Sequence, residues 1–427
     1  MDRRTGWRLA LVLVLAAALA VRVIAAFAIQ TSLPPGELDY IPGDATGYWD
    51  LATAIAAGND FAIYTPPRRV MRMPGFPAIL AASFLAFGQS HMAARLVLAV
   101  IGTLGCLLVF LLGRRLFDDR TALLAAAITA VIPSFIAFTP LFLSETTFAV
   151  TLVASLIPAA TLLAGLSKPE TTTSETLCRA GSCGALIGLA CYMRPSWLLW
   201  APAVAGLAVV AGRAKPITWL AALTIGAATF LTLAPWALRN QRVTGHFVLT
   251  TLWMGPSLYD GLHPGATGDS EMSFFDRENL LGSMSEYDVN KEYARRAREF
   301  AKNNPGRAIE LGLIKLWRYW KPWPNAGQFG SPWAWAAMLA SSLPLFGGTL
   351  LGLWKGRPGW IAVALTLGPV LYFGAVHSVF VGSIRYRLPA EYPMTLLAAS
   401  GLMAVMTRQR TPRPSQGVPP RPPGDQS

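Results

Sequence analysis

Charge is scarce in this chain. Only 14% of its 427 residues are Asp, Glu, Lys or Arg, against about 25% in soluble domains. Cysteine is scarce as well. The four thiols, Cys106, Cys178, Cys183 and Cys191, avoid the largest polar segment and fall into no zinc or haem spacing, which excludes a disulfide-rich secreted scaffold. The four histidines, His91, His246, His263 and His377, stand far apart, and none pairs with another at ligand spacing. There is no P-loop, no G-x-G-x-x-G, no H-E-x-x-H and no G-x-S-x-G. No second acid forms a D-x-D pair with Asp44. The sequence therefore calls for no obligatory metal, although it leaves room for a divalent one.

What is abundant is apolar sequence: 53% of the residues, arranged in long runs. Crossing a hydrocarbon core of about 30 Å takes about 20 such residues, and about ten stretches reach or approach that length. The expected fold is an all-α polytopic membrane protein of about ten transmembrane helices. The spans are placed near residues 6–30, 91–113, 121–138, 145–166, 181–193, 196–212, 217–238, 331–354, 360–377 and 389–406. The first is too long for a signal peptide, and Arg22 with bulky neighbours replaces a cleavage site.

Four parts follow from this layout. Residues 1–238 form an N-terminal transmembrane module with a long first outer loop at 31–90. Residues 239–330 form an outer segment, 331–406 the C-terminal spans, and 407–427 a Pro- and Arg-rich tail expected to be disordered. Within the first loop, 46–57 and 78–87 read as helices on the membrane surface. The middle of the outer segment, 269–302, is charged and reads as helical.

Net charge is +13. In a soluble protein this would suggest nucleic acid, but no run combines basic and aromatic residues in a binding module, and no nucleic-acid partner is expected. Loops beside a membrane carry Lys and Arg on the cytoplasmic side. With the N-terminus inside, Arg114, Arg115, Arg120, Lys168, Arg179, Arg213, Lys215, Lys355 and Arg357 all fall there. One ambiguity stands: 181–212, broken at Arg194-Pro195, reads as two short spans or one.

On this topology the first loop, the outer segment and the turn before the last span share the outer face. Four places there can carry chemistry. Asp44 follows a Pro-Gly turn and opens a surface helix; it serves as a helix cap or as a general base. Arg72, in Arg-Met-Pro-Gly-Phe-Pro, binds lipid headgroups or holds a phosphate in bidentate fashion. Glu145, in Leu-Ser-Glu at the outer end of a span, is a helix cap or a functional acid. Arg385 and Arg387, in Arg-Tyr-Arg-Leu-Pro, clamp a phosphate or anchor the last span by snorkelling. Arg194 falls near the same interface, where its charge costs little.

Taken together, the order and spacing of these elements resemble the polytopic C-type glycosyltransferases, in the branch of protein O-mannosyltransferases and the lipid A aminoarabinose transferase. The likeness rests on Asp44, Arg72-x-Pro-Gly-Phe-Pro, Leu143-Ser144-Glu145 and the run 188–195 ending in Arg194-Pro195. It continues through Leu233-Ala234-Pro235-Trp236-x-x-Arg239-Asn240, Leu258-Tyr259-Asp260-Gly261, Pro264-Gly265-Ala266-Thr267-Gly268 and Arg385-Tyr386-Arg387-Leu388-Pro389. It spans about residues 8–405.

The resemblance implies an inverting transferase that moves a sugar from a polyprenyl-phosphate donor to a hydroxyl-type acceptor on a lipid, glycan or protein, on the non-cytoplasmic face. By that likeness Asp44 is the general base, Glu145 the second catalytic acid and Arg72 the donor-phosphate residue. Charge and placement add Arg385 and Arg387 as further phosphate-binding residues. Donor, acceptor and surrounding membrane lipids are the implied partners. Two departures stand out: Ala45 follows Asp44 where many relatives have a second acid, and the extra lumenal domain of the protein mannosyltransferases is missing. The lack of Asn-x-Ser/Thr sequons and the short thiol-bearing spans fit a bacterial inner membrane, with the site facing the periplasm.

A multi-pass transporter or lipid flippase is the alternative. It lacks support from inverted repeats or matching broken helices, and the acids and arginines sit at one face. A non-catalytic assembly subunit is a third reading, under which Asp44 and Arg72 are replaceable.

Overall fold

The computed structural model describes residues 3–34, 36–168, 170–325, 327 and 330–408. The tail expected to be disordered lies, from residue 409, outside the described residues. Eighteen helices follow one another, with no strand among the described residues. The only extended pairing there is an isolated bridge between Ile63 and Arg68.

The N-terminal helix α1 (Arg3–Ser32) is followed by two helices of the first loop, α2 (Pro42–Ala56) and α3 (Gly75–Phe87). Then come α4 (His91–Leu116), α5 (Asp119–Val131), α6 (Pro133–Phe138), α7 (Glu145–Leu166), α8 (Thr173–Met193), α9 (Trp200–Ala211) and α10 (Pro216–Thr244). The segment between the two transmembrane parts holds α11 (Met254–Gly261), α12 (Ser273–Glu278), α13 (Glu286–Asn303) and α14 (Pro305–Trp320). The chain closes with α15 (Pro332–Leu351), α16 (Trp360–Thr366), α17 (Gly368–Val379) and α18 (Ile384–Arg408). Short polar side chains start several helices. Ser90 caps α4, Asp118 caps α5, Thr172 caps α8 and Ser285 caps α13, each accepting a bond from a first-turn N–H.

Six helices among the described residues are long and apolar enough to cross a membrane, or seven if the pair α16–α17, bent by 43°, counts as one. The expected count of about ten is not reached, for identifiable reasons. Pro133 breaks the third expected span into α5 and α6. Helix α9 has 12 residues. Helix α18 carries Arg385, Arg387 and Glu391 in its first two turns.

At 181–212 the chain forms two helices, the end of α8 and the whole of α9, broken at Arg194-Pro195. Gly181, Gly184 and Gly188 of α8 lie against Thr224, Ile225 and Thr232 of α10, in that order. The two helices therefore run in the same direction, and α9 must return between them. Glycine lets these backbones approach closely, as small residues do in membrane helix pairs.

Helix α7 is the central post, packed by α4, α8, α9, α16 and α18. Its Phe148 meets Trp197, which stacks on Trp200 and Phe373 with centroids 4.6 Å and 5.5 Å away. At one end of the bundle, Gly113 of α4 lies against Ala122 and Leu396, and Gly356 lies against Ser400. Arg114, Arg115 and Lys355 sit in the last turns at that end.

One charge is enclosed in the bundle's flank. Arg22, in the middle of α1, is fully buried and makes no ion pair among the described residues. Its guanidinium donates to the carbonyls of Ala18 (3.1 Å), Ala130 (3.2 Å) and Thr129 (3.3 Å). The Thr129 hydroxyl in turn meets that of Thr395 at 3.0 Å.

Candidate active site

At the opposite end of the bundle, five places along the chain converge. The first turn of α2 supplies Asp44, and the bend before α3 supplies Arg72. Helix α7 begins at Glu145. Helix α8 stops at Arg194, because the following Pro195 cannot continue it. Helix α18 opens at Ile384, so Arg385 lies in its first turn.

These residues form one alternating chain of charges. Arg72 Nη2 donates to Asp44 Oδ1 at 2.8 Å, and Arg385 Nη1 lies 2.7 Å from Asp44 Oδ2. Arg385 Nε reaches Glu145 Oε1, which also accepts from Arg194 Nη2 at 2.9 Å. Three cations face two anions, a surplus of one positive charge. Glu145 is fully buried. The side chain of Asp44 is 34% exposed, those of its two arginines 13% and 16%. Asp44 is thus the most exposed side chain of the five, although both of its carboxylate oxygens are engaged by arginines.

Neighbouring groups fix the geometry. The Arg72 guanidinium lies over the Tyr48 ring at 4.4 Å, and Arg194 over Tyr386 at 5.3 Å. Arg194 Nε also donates to Ser144 Oγ at 3.1 Å. A side chain at Gly47 would come within 3.3 Å of Arg72 Nε, so glycine there leaves room for the guanidinium. Tyr386 stacks on His377 with centroids 4.3 Å apart. Burial alone would raise the Asp44 carboxyl, but Arg385 and then Arg72 more than reverse this and hold it well below the usual carboxylate range. Arg72 is held above its ordinary value, Asp44 outweighing its burial.

Four of the five residues singled out from sequence therefore meet: Asp44, Arg72, Glu145 and Arg385. Arg387 does not. It is 1% exposed and points into the protein, toward Glu391, the Tyr319 carbonyl and Ser342 Oγ (3.2 Å). The phosphate clamp expected of Arg385 and Arg387 together requires both side chains to face one way. The segment is already helical, and residues two apart lie on different faces of a helix. Arg194 enters instead. Its signal was present in sequence, an arginine ending a helix before a proline, but its proximity to Glu145 required the packing of α7 on α8.

The first loop is held over the site from the other side. The backbone N–H groups of Arg69 and Val70 donate to Glu286 at 2.9 and 3.0 Å, and Arg239 Nη1 donates to the Arg69 carbonyl at 2.7 Å. A small hollow between α6, α15 and α18 lies beside Arg385, lined by Ser134, Phe138, Met338, Ile384 and Leu388 and, on its inner side, by Arg387 and Glu391. Among the described residues no three His, Cys, Asp or Glu side chains gather as a metal site. Both carboxylates here are engaged by arginines.

Comparison with known proteins adds three findings. The family model of dolichyl-phosphate-mannose-protein mannosyltransferases matches residues 71–236, which hold Arg72, Glu145 and Arg194. No curated protein sequence matches the chain. Among solved structures it is similar to the archaeal oligosaccharyltransferase AglB of Archaeoglobus fulgidus. In the complex with an inhibitory peptide and a dolichol-phosphate, the match is 14% identical, covers 96% of this chain and 51% of that one, and has a TM-score of 0.53. The apo form of the Archaeoglobus fulgidus enzyme gives 14%, 96%, 51% and 0.54. ArnT from Cupriavidus metallidurans, in the apo state, superposes at 14% identity over 95% of this chain and 78% of that one, with a TM-score of 0.46. The chain spans about half the length of the archaeal enzyme. The resemblance drawn from the sequence motifs is borne out, and the chain has the fold of the polytopic C-type glycosyltransferases.

Proposed function

We propose that this protein is an inverting glycosyltransferase that takes its sugar from a polyprenyl-phosphate donor and passes it to a hydroxyl-type acceptor. The observation that carries this reading is the carboxylate of Asp44 held between Arg72 and Arg385, beside a small hollow between helices. A base and two phosphate-binding cations at one point are what the reaction requires. The similarity to an archaeal enzyme solved with a dolichol-phosphate agrees with it.

In this reading the acceptor oxygen attacks the anomeric carbon while the bond from that carbon to the phosphate oxygen breaks. The acceptor proton passes to Asp44, and the electron pair leaves with the polyprenyl phosphate. Arg72 and Arg385 meet the charge that builds on the departing phosphate. Without donor, the same arginines make Asp44 a weak base. The incoming phosphate competes for them, which loosens their hold on the carboxylate and restores its basicity. Glu145 keeps Arg385 in place and Arg194 keeps Glu145, so both act as positioning residues. Arg114, Arg115 and Lys355 gather at the far end of the bundle, which supports a site on the non-cytoplasmic face, as in a bacterial inner membrane with the site toward the periplasm.

The test uses the purified full chain, a panel of radiolabelled polyprenyl-phosphate sugars and membrane-extract acceptors. Asp44→Asn is expected to lower transfer by about 10²–10⁴-fold, the range of general base catalysis, while donor still binds. Transfer unaffected by this change would remove Asp44 as the base.

A further inference from the structure

Two consecutive helices of the segment before α15 are both strongly amphipathic, yet their outward faces differ in kind. Helix α13 turns Arg295 and Glu299 to the outside, tied by ion pairs along the helix. Helix α14 turns out Ile309, Leu313 and Trp317, which are 66%, 63% and 60% exposed. They recur at every fourth position and make one continuous stripe. A stripe of large apolar side chains left this open marks contact with something apolar.

The course of α14 identifies it. Gly312 lies against the Ser378 carbonyl, Lys315 Nζ donates to the Val379 carbonyl at 2.7 Å, and Tyr319 packs on Gly374 and donates to the Val370 carbonyl at 2.8 Å. From Lys315 to Tyr319 the partners of α14 on α17 step back from Val379 to Gly374 and Val370. The two are antiparallel, and α17 forms with α16 a bent apolar pair long enough to enter the membrane. Gly374 is five residues inside the end of α17, a descent of roughly 7 Å at 1.5 Å per residue. The charged pair Arg307–Glu310 marks the shallow end of α14 and its tryptophans the deep end. Trp317 meets Trp323, Trp323 stacks on Trp335 of α15 with centroids 6.0 Å apart, and Trp333 beside it is 85% exposed.

We infer that α14 is inserted into the outer leaflet, with Ile309, Leu313 and Trp317 seated against lipid acyl chains. The opposite face of the helix grips the turn that leads to Arg385. Lys315 bonds Val379, Arg318 Nε bonds the Gly382 carbonyl at 3.2 Å, and the Tyr319 carbonyl accepts from Arg387. The lipid contact is therefore one helix thickness from the charges of the site. The inference stands on packing and exposure and does not depend on the transferase reading.

Site-directed spin labelling of the full chain in phosphatidylcholine nanodiscs tests it. Cys178 is the only exposed cysteine among the described residues, the other three being buried, so Cys178→Ser provides the background. Leu313→Cys and Trp317→Cys are labelled separately, with Glu299→Cys on α13 as the aqueous reference. At 313 and 317, dissolved oxygen is expected to relax the nitroxide more strongly than a water-soluble nickel chelate; at 299 the order inverts. Labels at 313 and 317 that respond to nickel as at 299 would show a helix in water and overturn the inference. Labels immobilised and sealed from both reagents would show a protein partner or a second copy on the stripe, and would overturn it equally.

Discussion

Replacing Glu145 with glutamine tests whether the five charges act as one network. The amide keeps the shape of the side chain and removes its charge. Arg385 and Arg194 then converge on a neutral group, and the site holds three cations against one anion. Each attraction is worth about 4 kcal/mol for charges 4 Å apart at an effective dielectric constant of about 20. Relief from burying a carboxylate offsets part of this, and removing one partner of a buried pair costs about 3–5 kcal/mol overall. Unfolding entropy of about 2.1 cal/mol/K per residue, over 427 residues, gives about 0.9 kcal/mol/K, and Tm is expected to fall by about 3–6 °C. The assay is an intrinsic-fluorescence melt in nanodiscs at pH 7 and low salt. The control is Asp119→Asn, which breaks the half-exposed pair with Arg114; such pairs are worth at most about 1 kcal/mol, or about 1 °C here. Undecaprenyl phosphate, by supplying the missing anion, should raise Tm of the Glu145→Gln protein more than that of wild type. A fall no larger than the control's, with no extra response to the phosphate, would refute the network.

Other outcomes follow from the same geometry. Arg385→Gln is expected to weaken donor binding by at least tenfold in a Kd measurement, whereas Arg387→Gln, whose guanidinium is held by Glu391, should lower Tm and change the donor Kd less; equal effects on Kd would show both arginines at the phosphate. The carboxyl of Asp44 has a folded-state pKa below its unfolded value of about 3.9, so its contribution to stability is present above that value and fades only as pH falls through the folded one. The Tm difference between wild type and Asp44→Asn should therefore be the same at pH 7 and pH 5, and a difference that shrinks at pH 5 would contradict the depressed carboxyl. A side chain at Gly75 would meet the Tyr192 carbonyl at 2.6 Å and Met193 Cε at 2.5 Å. Gly75→Ala is expected to cost about 1–3 kcal/mol by overpacking α3 on α8, and an unchanged melt would show that this contact yields freely.

The all-helical membrane fold was legible because apolar runs of span length leave little choice. Glu145 and His91 open their helices where the patterning put them, and the first-loop helices appear within a few residues of their expected starts. What periodicity missed were interruptions. A proline at 133 split one run, and the last helix opens at Ile384, where a turn was expected, rather than at Pro389. At the site, the residue types and their order pointed to Asp44, Arg72, Glu145 and Arg385. Their pairing could not be read, since it depends on which helix ends share a level and on how far each guanidinium reaches. Arg387 shows the limit: a neighbour two positions away in sequence faces another part of the protein once the backbone coils.

The enclosed Arg22 has a consequence for how the molecule is made. Helix α1 is synthesised before α5, and the carbonyl of Thr129 that caps its guanidinium comes 107 residues later. In the interval an arginine in the middle of a span carries an insertion penalty of about 2.5–3.5 kcal/mol, borne by the apolar residues around it. Arrival of α5 relieves it, and the Thr129–Thr395 hydroxyl contact closes only when the last helix is in place. A nascent chain that stops before α5 leaves the Arg22 guanidinium with only the Ala18 carbonyl of its own helix to bond. The first helix thus records whether the rest of the protein has been built, and truncated products are expected to be short-lived in the membrane.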